Sequence, residues 1–204
     1  MMKRILLVTL LSVFHIGLQA QTLREVFQAM PDSLQALLTK NNRMDMLDFI
    51  ESNMESRVTN RLEEQTTLDT LTADYLHLTL TDVSSVEMKL VKKEKDTVLV
   101  VVHTAAAPVK DSVVKCYTTD WKEKASQINR PAFSAYETKS RASLTEEQLQ
   151  LLNGLADMEL VEIRLSPQDN TLRYHLSLEI LNKEDREKVK ELVKDVVKEI
   201  YIKK

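Results

Sequence analysis

The chain has 204 residues, and its 31 acidic side chains outnumber its 28 basic ones to give a net charge of -3. An acidic chain lacks the basic surface that a nucleic-acid partner requires, so we expect no nucleic acid among its partners. The single cysteine, Cys116, excludes an intramolecular disulfide and a cysteine-based metal cluster, and two glycines are too few for phosphate-binding or dinucleotide-binding loops.

The N-terminus has the pattern of an export signal. Lys3 and Arg4 precede an apolar run over residues 5–18, and the small residue Ala20 follows it. This pattern predicts a secretory signal peptide over residues 1–20, the alternative being a buried N-terminal helix. No later segment reaches the roughly 18 apolar residues of a membrane helix, so we expect no stable membrane insertion. We expect an exported protein of the periplasm or cell envelope, with residues 21–204 forming a single α+β domain.

The first part of this domain has helical periodicity. Residues 23–30 form a short helical pattern, and residues 31–43 form a second one that starts at Pro31 and Asp32 and stops at Asn41 and Asn42. A third pattern covers residues 44–62, with apolar residues spaced by three and four. We therefore predict N-terminal helices.

The period then changes to two. Alternating or apolar runs over residues 74–80, 86–90, 97–103 and 111–118 predict four strands in an antiparallel meander. The third run is apolar on both faces, which predicts a central strand covered on both sides. In the second run, Glu87 and Lys89 are expected to face solvent.

Residues 120–143 have no clear period but contain aromatic residues, which indicates a packed loop. Ser143 and Glu146 form a capping-box pattern for a helix that we expect to end near Gly154. A hairpin follows, with strands over residues 161–165 and 172–180. Arg173, His175 and Glu179 are predicted on its solvent face.

The last predicted element is an amphipathic helix. Asn182 is its expected N-cap, and an apolar stripe runs from Val189 to Ile200. Its valines are poor helix formers, so we expect it to pack on the sheet. The predicted fold class is therefore α+β: N-terminal helices, an antiparallel sheet of a four-strand meander plus a second hairpin, and a C-terminal helix packed on that sheet.

Two hairpins contain similar sequences, VEMKL at residues 86–90 and VEIRL at residues 161–165. They suggest an internal duplication of a hairpin unit, residues 72–119 and 143–204. The competing explanation is that any half-buried hairpin selects the same alternation and cross-strand charge pairing. Sequence leaves both explanations open.

Three strings carry a family resemblance: NNRMDMLDFIESNM (residues 41–54), TADYLHLTLTDVSSVEMKL (72–90) and VVHTAAAPVKDSVVKCYTTDW (101–121). Together they resemble an uncharacterised family of exported Bacteroidales proteins, a domain of unknown function. The resemblance implies a Gram-negative bacterium and export to the cell envelope. It implies no activity, substrate or catalytic residue.

The sequence contains no catalytic constellation. No serine lies in a glycine-flanked turn, no histidine spacing is typical of zinc, and we predict no catalytic residue, metal or cofactor. The exposed histidines and their neighbours are the candidate binding residues: His175, Arg173, Glu179 and His77. We expect a non-enzymatic binding or structural module for an envelope protein or peptide. The alternative is a hydrolase that acts on envelope or dietary polymers. The sequence indicates no oligomeric state.

Overall fold

The computed structural model describes residues 21–93, 96–106, 108–125 and 128–200, so the predicted signal peptide lies outside the described residues. Within these ranges the chain forms four α-helices, ten strands and four short 3-10 turns. The helices are α1 (Leu23–Gln28), α2 (Lys40–Glu51), α3 (Glu146–Met158) and α4 (Lys183–Lys190). No helix among the described residues is long and apolar enough to cross a membrane.

Seven strands form a large antiparallel sheet in which every strand pairs with its sequence neighbours. Its strands are β1 (Arg57–Thr59), β2 (Gln65–Leu71), β3 (Tyr75–Thr81), β4 (Ser84–Lys93), β5 (Asp96–Ala106), β6 (Lys110–Tyr117) and β7 (Glu123–Lys124). The predicted meander is therefore confirmed as β3 to β6. Sequence reasoning missed β1, β2 and β7, because two of them are too short to show alternation and β2 is mostly polar.

The second hairpin belongs to a separate three-stranded sheet, which corrects the prediction of one shared sheet. Its strands are β8 (Val161–Leu165), β9 (Thr171–Leu176) and β10 (Val196–Glu199), in the order β10-β9-β8. The two similar hairpins thus occupy different sheets, with β4 and β5 central in one and β8 and β9 in the other. Internal duplication of residues 72–119 and 143–204 stays a hypothesis.

The large sheet is covered on both faces. On one face α1 and α2 pack over the first core, and on the other the small sheet with α3 and α4 packs over the second core. Strand β5 contributes to both, since Leu99 and Val101 lie in the first core and Val98, Val100 and Val102 in the second. This confirms the prediction of a central strand covered on both sides. Each fully buried valine contributes about 1.5–3 kcal/mol of transfer free energy.

The N-terminal helices differ from the prediction in their bounds. Residues 31–38 contain only a 3-10 turn (Asp32–Leu34), because the buried guanidinium of Arg43 binds the carbonyl oxygens of Met30 and Leu38 in an irregular segment. Asn42 does not stop a helix. It completes a capping box with Thr39 at the start of α2.

Helix α2 also ends earlier than predicted. The backbone reaches φ 54° at Asn53, just beyond Glu51, and the chain then continues into β1. Val58, which lies within the predicted helical pattern of residues 44–62, is the buried residue of that three-residue strand.

Helix α3 starts and ends later than predicted. Its N-cap is Thr145 with Gln148, rather than Ser143 with Glu146, and it continues through Gly154 to Met158. Gly154 lies on the exposed surface of the helix, where it costs only about 1 kcal/mol relative to alanine. Burial of Leu152 and Leu155 stabilises the turns on either side of it.

The prediction of the C-terminal helix was wrong for the second half of that segment. Asn182 caps α4 as predicted, accepting a 2.9 Å hydrogen bond from the amide of Asp185, but the helix ends at Lys190. Residues 196–199 instead form β10, which pairs with β9 from Val196 opposite Tyr174 to Glu199 opposite Thr171. Valines favour a strand, and the free edge of β9 supplies the backbone partners that a strand requires.

The two sheets meet at the edge of β8, and this seam positions the candidate site. Alternate amides of β8 point away from β9, and each donates to a side chain of the large sheet. The pairs are Val161 to Asp111 (3.1 Å), Ile163 to Ser112 (2.9 Å) and Leu165 to Glu87 (2.6 Å). The large sheet thus satisfies an edge that would otherwise expose unpaired backbone groups.

This seam also corrects the expectation that Glu87 and Lys89 face solvent. Glu87 is 9% exposed and Lys89 is 1% exposed. The ammonium of Lys89 lies 3.1 Å from both the carbonyl oxygen of Pro167 and a carboxylate oxygen of Asp74. The alternation was interpreted correctly, but the face opposite the first core is covered by a second sheet.

Candidate functional site

A polar groove lies between the large sheet and the outer side of β8. It has a volume of about 200 Å³. Its lining residues are His77, Thr79, Ser85, Glu87, Thr104, Lys110, Glu162, Ile163 and Arg164. These residues come from five strands, so their backbone positions are fixed by sheet hydrogen bonds. The groove is therefore a preformed polar surface, smaller than the 300–1,000 Å³ of a drug-sized pocket.

Glu87 lines the groove where the two sheets meet. One carboxylate oxygen accepts from the hydroxyl of Tyr75 at 3.1 Å, and the other accepts from the amide of Leu165 at 2.6 Å. Burial raises the pKa of Glu87 above its ordinary value, although these hydrogen bonds oppose the shift. Burial and the neighbouring Glu87 also raise the pKa of the Tyr75 hydroxyl. Both oxygens of Glu87 are thus engaged within the fold.

Glu162 lies on β8 and pairs with two basic side chains. One of its oxygens is 2.9 Å from the ammonium of Lys110 and 2.7–2.8 Å from the guanidinium of Arg164. Burial alone would raise the pKa of Glu162, but the hydrogen bonds from Lys110 and Arg164 lower it below its ordinary value. Glu162 is therefore ionised at neutral pH and fixes the guanidinium of Arg164.

The outer face of the small sheet continues from the groove. On β9, Arg173 lies opposite Arg164 and His175 lies opposite Glu162. Asp195 joins the two β9 residues, at 2.6 Å from Nδ1 of His175 and 3.2 Å from the guanidinium of Arg173. Burial opposes ionisation of Asp195, but hydrogen bonds from both partners lower its pKa. We call this surface, made of Glu162, Arg164, Arg173, His175 and Asp195, the charged face.

The structure places the four predicted binding residues in three positions. Arg173 and His175 meet at Asp195 on the charged face. His77 lines the groove from β3, with its Nδ1 3.1 Å from Asp69. Glu179 lies apart, exposed in the 3-10 turn Leu178–Ile180. Their role in binding stays a prediction.

Sequence reasoning did not select the other groove residues. Glu162 and Arg164 were not among the predicted binding residues, although period-two alternation places them beside His175 and Arg173 once β8 and β9 pair. No local pattern indicates Lys110, because its contact with Glu162 joins residues 52 positions apart.

The chemistry of the groove is that of hydrogen bonding and ion pairing. Thr79, Ser85 and Thr104 supply hydroxyl groups, which donate and accept, beside the fixed charges. Among the described ranges, no group of three or more His, Cys, Asp or Glu side chains is arranged to hold a metal ion. The arrangement suits recognition of a polar or charged ligand.

The fold and groove define a class: an α+β protein with two antiparallel sheets joined at a side-chain-capped edge. The chain belongs to the family described as "Protein of unknown function (DUF3256)", whose model matches residues 15–200. Its fold is similar to that of a domain of an uncharacterized protein from Porphyromonas gingivalis, with a TM-score of 0.72 and 20% identity over 88% of this chain and 93% of that chain. No curated protein matches the chain. The resemblance to an uncharacterised Bacteroidales family is confirmed.

Proposed function

We propose that the protein is exported through residues 1–20 to the periplasm or cell envelope, where it binds a protein or peptide partner without catalysing a reaction. Support for export comes from the basic start, the apolar run and Ala20 at the N-terminus. Support for binding comes from the continuity of the groove with the charged face, since Glu162 and Arg164 belong to both.

One observation carries the binding proposal: charged side chains are held in place by ion pairs yet remain open to solvent. The side chains of Arg164 and Arg173 are each 58% exposed although each contacts a carboxylate. A partner would meet groups whose conformational entropy is already partly lost, which reduces the free energy cost of association. Arginine is enriched in protein interfaces because its guanidinium offers several donors along with an apolar stem.

A hydrolase is the second candidate, and the two carboxyl groups of the groove favour it. Burial raises the pKa of Glu87, whereas Lys110 and Arg164 lower the pKa of Glu162. In many enzymes such a difference between two carboxyl groups assigns one as the acid and the other as the base. Against this, both oxygens of Glu87 accept hydrogen bonds from Tyr75 and Leu165. An acid that caps a backbone amide is not free to transfer a proton to a substrate, so binding is the better supported function.

Site-specific photocrosslinking in native cells tests the binding proposal. A photoreactive amino acid at His175, which is on the charged face, should give a reproducible adduct with one envelope protein or peptide. The same amino acid at Met54, which is 59% exposed beyond α2, is the control and should not give that adduct. Absence of any adduct from His175, or equal adducts from both positions, would contradict the proposal.

A further inference from the structure

The charged face contains a pair of like charges at opposed positions of two strands. Arg164 on β8 and Arg173 on β9 lie directly opposite one another in the register of the hairpin. Side chains at such positions share one face with their Cβ atoms about 4.5–5.5 Å apart, and like charges there destabilise the pair. Two opposed arginines are therefore a poor choice for stability alone.

Each guanidinium is fixed on one side and open on the other. Arg164 uses Nε and one Nη toward Glu162, and Arg173 uses one Nη toward Asp195. A guanidinium has five N–H donors, so each keeps donors beyond those contacts. The two carboxylates thus fix two partly exposed guanidinium groups, on opposed residues of one sheet face, without using all of their donors.

The ammonium of Lys110, a groove residue, borders the charged face at Glu162. Three basic side chains, Lys110, Arg164 and Arg173, share the two carboxylates of Glu162 and Asp195. Lys110 thus adds an ammonium beside the two arginines, which favours the approach of an anionic group.

We infer that Arg164 and Arg173 together bind a carboxylate group of the protein or peptide partner. This inference rests on the proposed function and names the chemistry that the charged face recognises. A carboxylate offers two oxygens to two guanidinium groups in the planar geometry that arginine favours. Val197, 51% exposed and opposite Arg173 on β10, supplies an apolar contact next to that carboxylate.

Three peptides test the inference by NMR titration of the arginine Nε–Hε signals. A hexaglutamate peptide with blocked ends offers side-chain carboxylates, a hexaserine peptide with a free C-terminus offers only the terminal carboxylate, and blocked hexaserine offers none. We expect the signals of Arg164 and Arg173 to shift with the first peptide, the second or both, and not with the third. The responding peptide identifies the source of the carboxylate. Equal shifts with all three peptides, or shifts with none, would overturn the inference.

Variants then separate specific recognition from general charge attraction. Arg164→Gln and Arg173→Gln should each weaken binding of the responding peptide by about tenfold or more, since each removes charge-assisted hydrogen bonds. Arg57→Gln is the matched control, because Arg57 is also paired with a glutamate and half exposed but lies on β1. It should change binding by less than about twofold. Equal losses in all three variants would reduce the effect to general electrostatics and refute the site.

The photocrosslinking experiment distinguishes the failure of this inference from failure of the proposed function. With the photoreactive amino acid at His175, the chain that keeps both arginines should give the adduct. The double variant, which carries both Arg164→Gln and Arg173→Gln, should not give it. Retention of the adduct in the double variant would refute carboxylate recognition and leave the binding proposal standing. No adduct in the wild-type background would refute the binding proposal itself.

Discussion

Replacement of Ser112 by alanine tests the seam between the two sheets. Ser112 is 1% exposed, and its hydroxyl oxygen accepts a 2.9 Å hydrogen bond from the amide of Ile163 at the edge of β8. The same hydroxyl contacts that of Thr104 at 2.8 Å. Alanine leaves the Ile163 amide buried without an acceptor, because that edge of β8 faces the large sheet rather than solvent.

The expected loss of folding stability follows from burying one backbone amide without a hydrogen-bond acceptor. A buried donor left without a partner costs about 1–3 kcal/mol. For a chain of this length each kcal/mol shifts the melting temperature by about 2–4 °C, so we expect Ser112→Ala to lower it by about 2–12 °C. Thr104→Val removes the second hydroxyl but leaves the Ile163 amide bonded, so we expect a smaller loss.

Two measurements check this prediction. Urea denaturation followed by circular dichroism gives the free energy of unfolding, and amide hydrogen exchange reports on Ile163 directly. Ser134→Ala is the control, since Ser134 is exposed and should change stability by less than about 0.5 kcal/mol. If Ser112→Ala matched this control while the Ile163 amide kept its protection, the account of the seam would be wrong.

Three further predictions concern buried polar groups. Burial raises the pKa of Glu87, so its protonated carboxyl stabilises the fold fully below the ordinary pKa of 4.5, and that stability is lost as pH rises through the raised value. In urea titrations from pH 4 to 8, the free energy of unfolding of Glu87→Gln should therefore increase relative to that of the wild type as pH rises. A difference that stays constant with pH would contradict this prediction. Burial lowers the pKa of His103, so its neutral form stabilises the fold above pH 6.5, and that stability is lost as pH falls through the lowered value. His103→Gln should therefore reduce the decrease in melting temperature that the wild type shows below pH 6.5. An unchanged slope of melting temperature against pH would contradict this prediction. Arg43→Met should lower the free energy of unfolding by about 2–4 kcal/mol, because the carbonyl oxygens of Met30 and Leu38 lose their donor. Chymotrypsin should then cleave within residues 31–38, and resistance equal to wild type would show that Arg43 does not hold this segment.

The charged face shows how far sequence reasoning reached toward the candidate site. Alternation placed Arg173 and His175 on the solvent side of a hairpin, and the structure confirms that position on β9. Alternation did not identify Asp195 as their neighbour, because residue 195 was assigned to the predicted C-terminal helix. Asp195 instead lies just before β10. Alternation also placed Glu87 in solvent, since nothing near residue 87 in the chain indicates that β8 will cover it.

Local patterns by themselves determined six of the ten strands and the starts of α1 and α4. Strands β3 to β6 and the β8–β9 hairpin were predictable because one-sided burial imposes a period of two on the sequence. The N-cap of α4 was predictable because Asn182 contacts a backbone amide only three residues away. Such contacts depend on neighbours in the chain, which a single sequence displays.

Only the tertiary structure decided the conformation of residues 196–199 and the position of the groove. The valines before Ile200 fit a helical stripe and a strand equally well, and the free edge of β9 decided for the strand. The groove depends on Glu87 capping Leu165, a contact between residues 78 positions apart. Hydrogen bonds of such separation form only when two sheets meet, so the physical reason for the site lies in packing rather than in any local pattern.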